Sequence, residues 1–186
     1  MKIPVYELLF QGNEKRYLQQ CIDSNWISSE GYFVQKFEEE FAKWSRNKYA
    51  VAVCNGTAAL ETAIWSLNLK IKNILSPKIV TYNSTIISCA LVILRLGYEL
   101  GLVEDFTPYP VEFPFLLENP LKALLIPHLF GQYKQIKSYN YILPIIEDCS
   151  QYWQPFKVKD VACYSLYANK LITSGEGGVI ITNRKD

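Results

Sequence analysis

Apolar residues recur along this chain in two rhythms, one suited to helices and one to strands. From Asn13 to about Asn25, Tyr17, Leu18, Cys21 and Ile22 fall on one side of a 3.6-residue period, and Asn13 has the chemistry of a helix cap. Val34, Phe37, Phe41 and Trp44 make a second stripe, with Glu38–Glu40 mostly turned to water. The rhythm then changes. Tyr49–Cys54 (YAVAVC) is a continuous apolar run, which predicts a strand covered on both faces. NGTAAL follows and opens a helix with Leu60, Ile64 and Leu67 at helical spacing. Lys78–Tyr82 predicts a strand, Ser84–Leu96 a helix and Glu99–Val103 a strand. Residues 104–121 hold four prolines and predict a loop. Ala123–Pro127, Ile142–Glu147, Val161–Ser165 and Gly178–Thr182 are further short apolar runs.

This alternation predicts the α/β class, with three layers and a mostly parallel sheet carrying helices on both faces. The 186 residues read as one domain, with N-terminal helices over 1–48 and an α/β core over 49–186. There are no repeats and no low-complexity segments.

Composition narrows the function. The chain is 49% hydrophobic and 20% charged with a net charge of +1, and no Lys/Arg block stands out, so neither nucleic acid nor an anionic membrane is an expected partner. No apolar run reaches the length of a membrane span, and the start lacks a basic-then-apolar leader; a cytoplasmic location is expected. Five cysteines form no CxxC pair and read as reduced, mostly buried thiols. A single histidine, His128, argues against a histidine-based zinc site, and no metal is expected.

Three places could carry chemistry. Asn55-Gly56-Thr57-Ala58 joins a strand to a helix. Gly56 permits a tight turn, and the N–H groups of Thr57 and Ala58 face any anion at the helix start. As a plain feature, Thr57 would only cap the helix. Glu147-Asp148-Cys149-Ser150-Gln151 ends an apolar strand, where open parallel sheets bind ligands and Asp148 can hold a positive group; equally, Asp148 can cap the next turn. Lys170 lies in SLYANKLITSGEGGVIITN, between an apolar run and a flexible one. Partly buried, its amine becomes a nucleophile toward carbonyls; alone, such a lysine is usually a solvated loop residue. Gly175, Gly177 and Gly178 allow the chain to turn there. Together, a phosphate cradle, a strand-end acid and a loop lysine meet the needs of pyridoxal 5'-phosphate (PLP).

The motifs GNEKRYL, DSNWISSEG, YAVAVCNGTAAL, TYNST, IPHLFG, IEDCSQ and YSLYANKLITSGEGGVIITN resemble the DegT/DnrJ/EryC1/StrS nucleotide-sugar aminotransferases, nearest their perosamine-synthase-like branch. The resemblance runs along essentially the whole chain. It implies the large domain of a fold type I PLP enzyme, truncated so that the small C-terminal domain is absent. It implies transfer of an amino group, with glutamate as donor and a keto-sugar nucleotide as acceptor. By the same resemblance Lys170 is the Schiff-base lysine and Asp148 the partner of the ring nitrogen. Gln151 lies near the phenolic oxygen and Tyr82 stacks on the ring. Gly56, Thr57, Ala58 and Ser165 hold the phosphate, and Trp26 to Ser29 lie near the sugar nucleotide. His128 is expected to be structural. A homodimer, or a complementing C-terminal polypeptide, is the expected partner. The alternative is a truncated paralogue that binds or assembles without catalysis.

Overall fold

The computed structural model of the protein describes residues 3–4, 6–26, 28–68, 77–104, 121–135 and 143–185. The elements run α1 (Glu14–Asp23), α2 (Tyr32–Ser45), β1 (Tyr49–Val53), α3 (Gly56–Ser66), β2 (Lys78–Tyr82), α4 (Ile87–Arg95), β3 (Glu99–Val103), β4 (Leu121–Pro127), β5 (Ile145–Asp148), β6 (Val161–Ser165) and β7 (Gly178–Thr182). Most of the loop expected over 104–121, and Ile142, lie outside the described residues.

The strands join into one sheet in the order β1-β7-β6-β5-β4-β2-β3. Neighbours from β6 through to β3 are parallel, whereas β7 runs antiparallel to both β6 and β1. The sheet is therefore mostly parallel but mixed. Side chains alternate across it. Ile79, Leu125, Ile146 and Cys163 face α3 and α4, where they meet Leu60, Ile64, Cys89 and Ile93. Tyr164, Val179 and Ile181 face the other way and pack on Phe41 of α2. Val80, Tyr82, Leu124 and Ile126 share that second face further along. Helices thus lie on both faces, as expected.

Two expectations change. β1 is an edge strand, not a strand covered on both faces: Tyr49 and Val51 are exposed. An apolar run shows that a strand belongs to a sheet; it does not show where in the order the strand falls. The bare edge is partly masked, because the Glu38 carboxylate accepts the Ala52 N–H at 2.8 Å. The apolar side of α1 is also uncovered. No residue of α1 is buried, and Asn13, though at the cap position, makes no capping hydrogen bond with its side chain. Among the described residues, no helix is long and apolar enough to cross a membrane.

Candidate functional site

The helix start is built by Asn55. Its side-chain oxygen accepts the Ala58 N–H at 2.8 Å, which makes Asn55 the cap in place of Thr57. Of the two donors read from the sequence, Ala58 is therefore engaged, and the Thr57 N–H is left at the positive end of α3. Gly56 serves a different purpose from the turn expected of it. A Cβ there would lie 2.7 Å from Ser165 Cβ, so only glycine lets α3 approach the end of β6. Gly178 does the same on the other side, where a Cβ would run into the Asn55 carbonyl. Ser165 is 8% exposed, and its hydroxyl accepts the Tyr167 N–H at 3.4 Å, leaving its proton to donate. Gly56, Thr57 and Ser165 thus form a small cradle of donors.

Asp148 ends β5 on the α3/α4 face and is 4% exposed. Its Oδ1 accepts the Ser150 N–H at 2.9 Å and its Oδ2 accepts the Cys89 thiol at 3.1 Å. Burial first, and then the Asp148 charge, push the Cys89 thiol upward, so it keeps the proton it donates. Both donors are neutral. Among the described residues no lysine or arginine pairs with this buried carboxyl. Such a group calls for a cation. Cys89 was read from the sequence only as a buried thiol. No spacing signal links it to a residue so far along the chain.

Lys170 is half-buried in the turn after β6, with its N–H bonded to the Tyr167 carbonyl at 2.9 Å. The loop folds back on Leu166, whose carbonyl accepts from Thr173 Oγ1 at 2.9 Å and the Ser174 N–H at 3.1 Å. Gly175 (φ +85°) and Gly177 (φ +146°) supply the backbone angles the return requires. Lys170 lines a groove of about 450 Å³ together with Gly131, Ser150, Gln151 and Leu171. Gln151 Oε1 accepts the Phe130 N–H at 2.9 Å, so its amide nitrogen remains as a donor.

Lys170 and Gln151 therefore line one groove, and Ser150, which lines it too, bonds the Asp148 carboxyl. The cradle lies at the end of the neighbouring strand and does not line that groove. Tyr82 is elsewhere. It is 1% exposed and faces the opposite side of the sheet from Asp148, with the Lys134 ammonium 4.3 Å from its ring centroid. The pleat is the cause, since a strand-end residue serves one face only. Trp26 and Ser28 line a separate apolar hollow of about 840 Å³ with Leu18, Cys21 and Phe33. Ile27 lies outside the described residues.

The DegT/DnrJ/EryC1/StrS aminotransferase family matches this chain over residues 10–186. The chain belongs to that family. The GDP-perosamine synthase of Escherichia coli O157:H7 is 34% identical over 197 residues, covering 98% of this chain and 54% of the relative. The GDP-perosamine synthase of Vibrio cholerae is 33% identical, covering 97% and 53%. This member of the family spans about half the length of the curated relatives it matches. Its fold matches 3-amino-5-hydroxybenzoic acid synthase with a TM-score of 0.83 at 24% identity, over 100% of this chain and 51% of that one. It also matches the PLP form of Spr1654 from Streptococcus pneumoniae with a TM-score of 0.82 at 19% identity, over 99% and 54%.

Proposed function

We propose that this chain is the cofactor-binding part of a PLP-dependent sugar aminotransferase, taking an amino group from glutamate and giving it to a keto-sugar nucleotide. The observation that carries the reading is Asp148, a buried strand-end carboxyl with two neutral donors, no lysine or arginine partner among the described residues, and a hydrogen-bond link to the groove of Lys170. The GDP-perosamine synthases among the relatives support the substrate class.

The residues fit the cofactor at two points: a cradle that a Cβ would fill, and an acid without its counter-ion. Gly56, Thr57 and Ser165 would hold the phosphate, with Ala58 engaged by the Asn55 cap instead, Asp148 the ring nitrogen, and the Gln151 amide the phenolic oxygen. When bound, PLP supplies an aldehyde that carries the amino group and a ring that takes up negative charge. Lys170 contributes the amine that would meet the aldehyde, from the groove it shares with Gln151 and Ser150. The same amine would move the proton at the amine-bearing carbon of the donor. Asp148 favours a protonated ring nitrogen through charge.

A companion copy or a complementing polypeptide is proposed as partner, since Trp65, Ile87, Leu91 and Leu94 form an exposed apolar stripe on α3 and α4. The experiment is direct. PLP added to the purified protein should give visible absorbance that borohydride fixes and glutamate discharges, and Lys170→Ala should abolish it. A protein that stays colourless at saturating PLP defeats the reading.

A further inference from the structure

Glu147 and Asp148 are consecutive residues of β5 and face opposite sides of the sheet. The reaction proposed above uses Asp148 and leaves Glu147 idle. Yet Glu147 is 2% exposed, and His128 beside it is fully buried. His128 Nδ1 accepts the Lys134 N–H at 3.0 Å. The imidazole proton is therefore on Nε2, which donates to Glu147 Oε1 at 3.1 Å. The Tyr133 hydroxyl donates to the same oxygen at 3.2 Å. Tyr133 also stacks on the imidazole, with ring centroids 4.5 Å apart and planes at 28°. Burial first, and then the Glu147 charge, push the Tyr133 hydroxyl upward, so it remains a donor.

A buried acid in a polar network is costly to keep, so what it fixes in place matters. Here it fixes the turn 129–134. The far end of that turn is held through Lys134 and Tyr133. The near end bonds Gln151: the Phe130 N–H reaches its Oε1 at 2.9 Å and the Gly131 N–H its carbonyl at 3.1 Å. Phe130 has φ +55° and is 84% exposed. A bulky residue holds that backbone angle only where its surroundings enforce it.

We infer that Glu147 and His128 are positioning residues: from the far face of the sheet they clamp the turn 129–134, so that Gln151 keeps its amide nitrogen, and not its oxygen, available in the Lys170 groove. The inference rests on the reading of that groove given above. A nitrogen there donates to an oxyanion; an oxygen would repel it.

Two readouts test it in the purified protein. In Glu147→Leu, hydrogen exchange at the Phe130 and Gly131 amides should speed up by about tenfold or more, as for any opening that lost a buried network, while β4 and β6 stay protected. Glu147→Gln keeps an oxygen that accepts from both Tyr133 and His128, and should exchange like the parent. PLP affinity should follow the same order, weakened about tenfold in Glu147→Leu and nearly unchanged in Glu147→Gln. If Glu147→Leu does not fold, His128→Asn serves. Its side-chain oxygen replaces Nδ1 toward the Lys134 N–H, while its amide nitrogen falls short of the Nε2 position that donates to Glu147, and exchange should rise to an intermediate rate. Unchanged exchange in the folded leucine or asparagine variant overturns the inference, as does a glutamine variant no better than leucine. The exchange arm needs no cofactor, so a parent that binds no PLP defeats the proposed function and leaves the clamp to be judged separately.

Discussion

Gly56 lies against Ser165 so closely that a single added methyl group would come within 2.7 Å of the serine Cβ. The start of α3 and the end of β6 are thereby held in contact, and the cradle between them is shaped by the missing side chain.

Gly56→Ala should therefore destabilise the protein by about 1–3 kcal/mol through overpacking, and weaken PLP binding with it. Adding Ser165→Gly makes room for the methyl and should recover part of the stability without recovering PLP binding, because the hydroxyl is gone. Urea denaturation of the two variants, beside a PLP titration, checks both halves.

Asp148→Asn preserves shape and removes charge. Stability should change by about 1 kcal/mol, since the asparagine oxygen keeps the Ser150 N–H while its NH2 can only donate, so the Cys89 thiol loses its acceptor. Discharge of bound PLP by glutamate should slow by about a hundredfold or more, the usual scale for losing a charge aimed at the reacting group. Stopped-flow absorbance reads the rate. An asparagine variant as fast as the parent would remove Asp148 from the mechanism.

Gln151→Glu keeps an oxygen for the Phe130 N–H but places a second one where the amide nitrogen stood. PLP affinity should fall by about tenfold or more, as expected when a donor to an anion becomes a like charge. Hydrogen exchange at Phe130 should stay slow, which separates this loss from a broken turn.

Alkaline pH should destabilise the fold. Burial is the main cause that raises Cys89, Cys149 and Cys163 above the ordinary thiol value of 9.0. Below that value both folded and unfolded chains keep these protons, and stability is unaffected. Above it the unfolded chain loses protons that the folded chain retains, so stability falls as pH rises. Each thiol contributes about 1.4 kcal/mol per pH unit. Urea midpoints from neutral pH to pH 10 should show the fall, and Cys163→Ala should make it shallower.

Much of this was legible in the residues. The alternation of apolar runs with helical stripes located the strands and helices of the core to within a few residues, because each depends on neighbours along the chain. NGTA marked a helix start, and IEDCSQ marked a strand end. What escaped depends on contacts between distant segments. An apolar run such as YAVAVC carries no record of its place in the sheet, so the edge position of β1 was hidden. TYNST placed Tyr82 at a strand end but did not tell which face it serves, and one residue of register reverses that. Cys89 meets Asp148 only because α4 lies over β5. Glu147 was in plain view beside Asp148, but its partners Tyr133 and His128 come together with it only in the folded sheet.

The placement of β7 between β1 and β6 also dictates when the molecule can assemble. Tyr49 pairs with Thr182, and Val53 with Gly178. During synthesis β1 leaves the ribosome early and has no neighbouring strand until the segment Gly178–Thr182 has followed it. Until then YAVAV is an apolar ribbon with one edge open and the other partly masked by Glu38 of α2. Closure over so long a loop is the slow kind of pairing, and the waiting strand is where a chaperone would take hold.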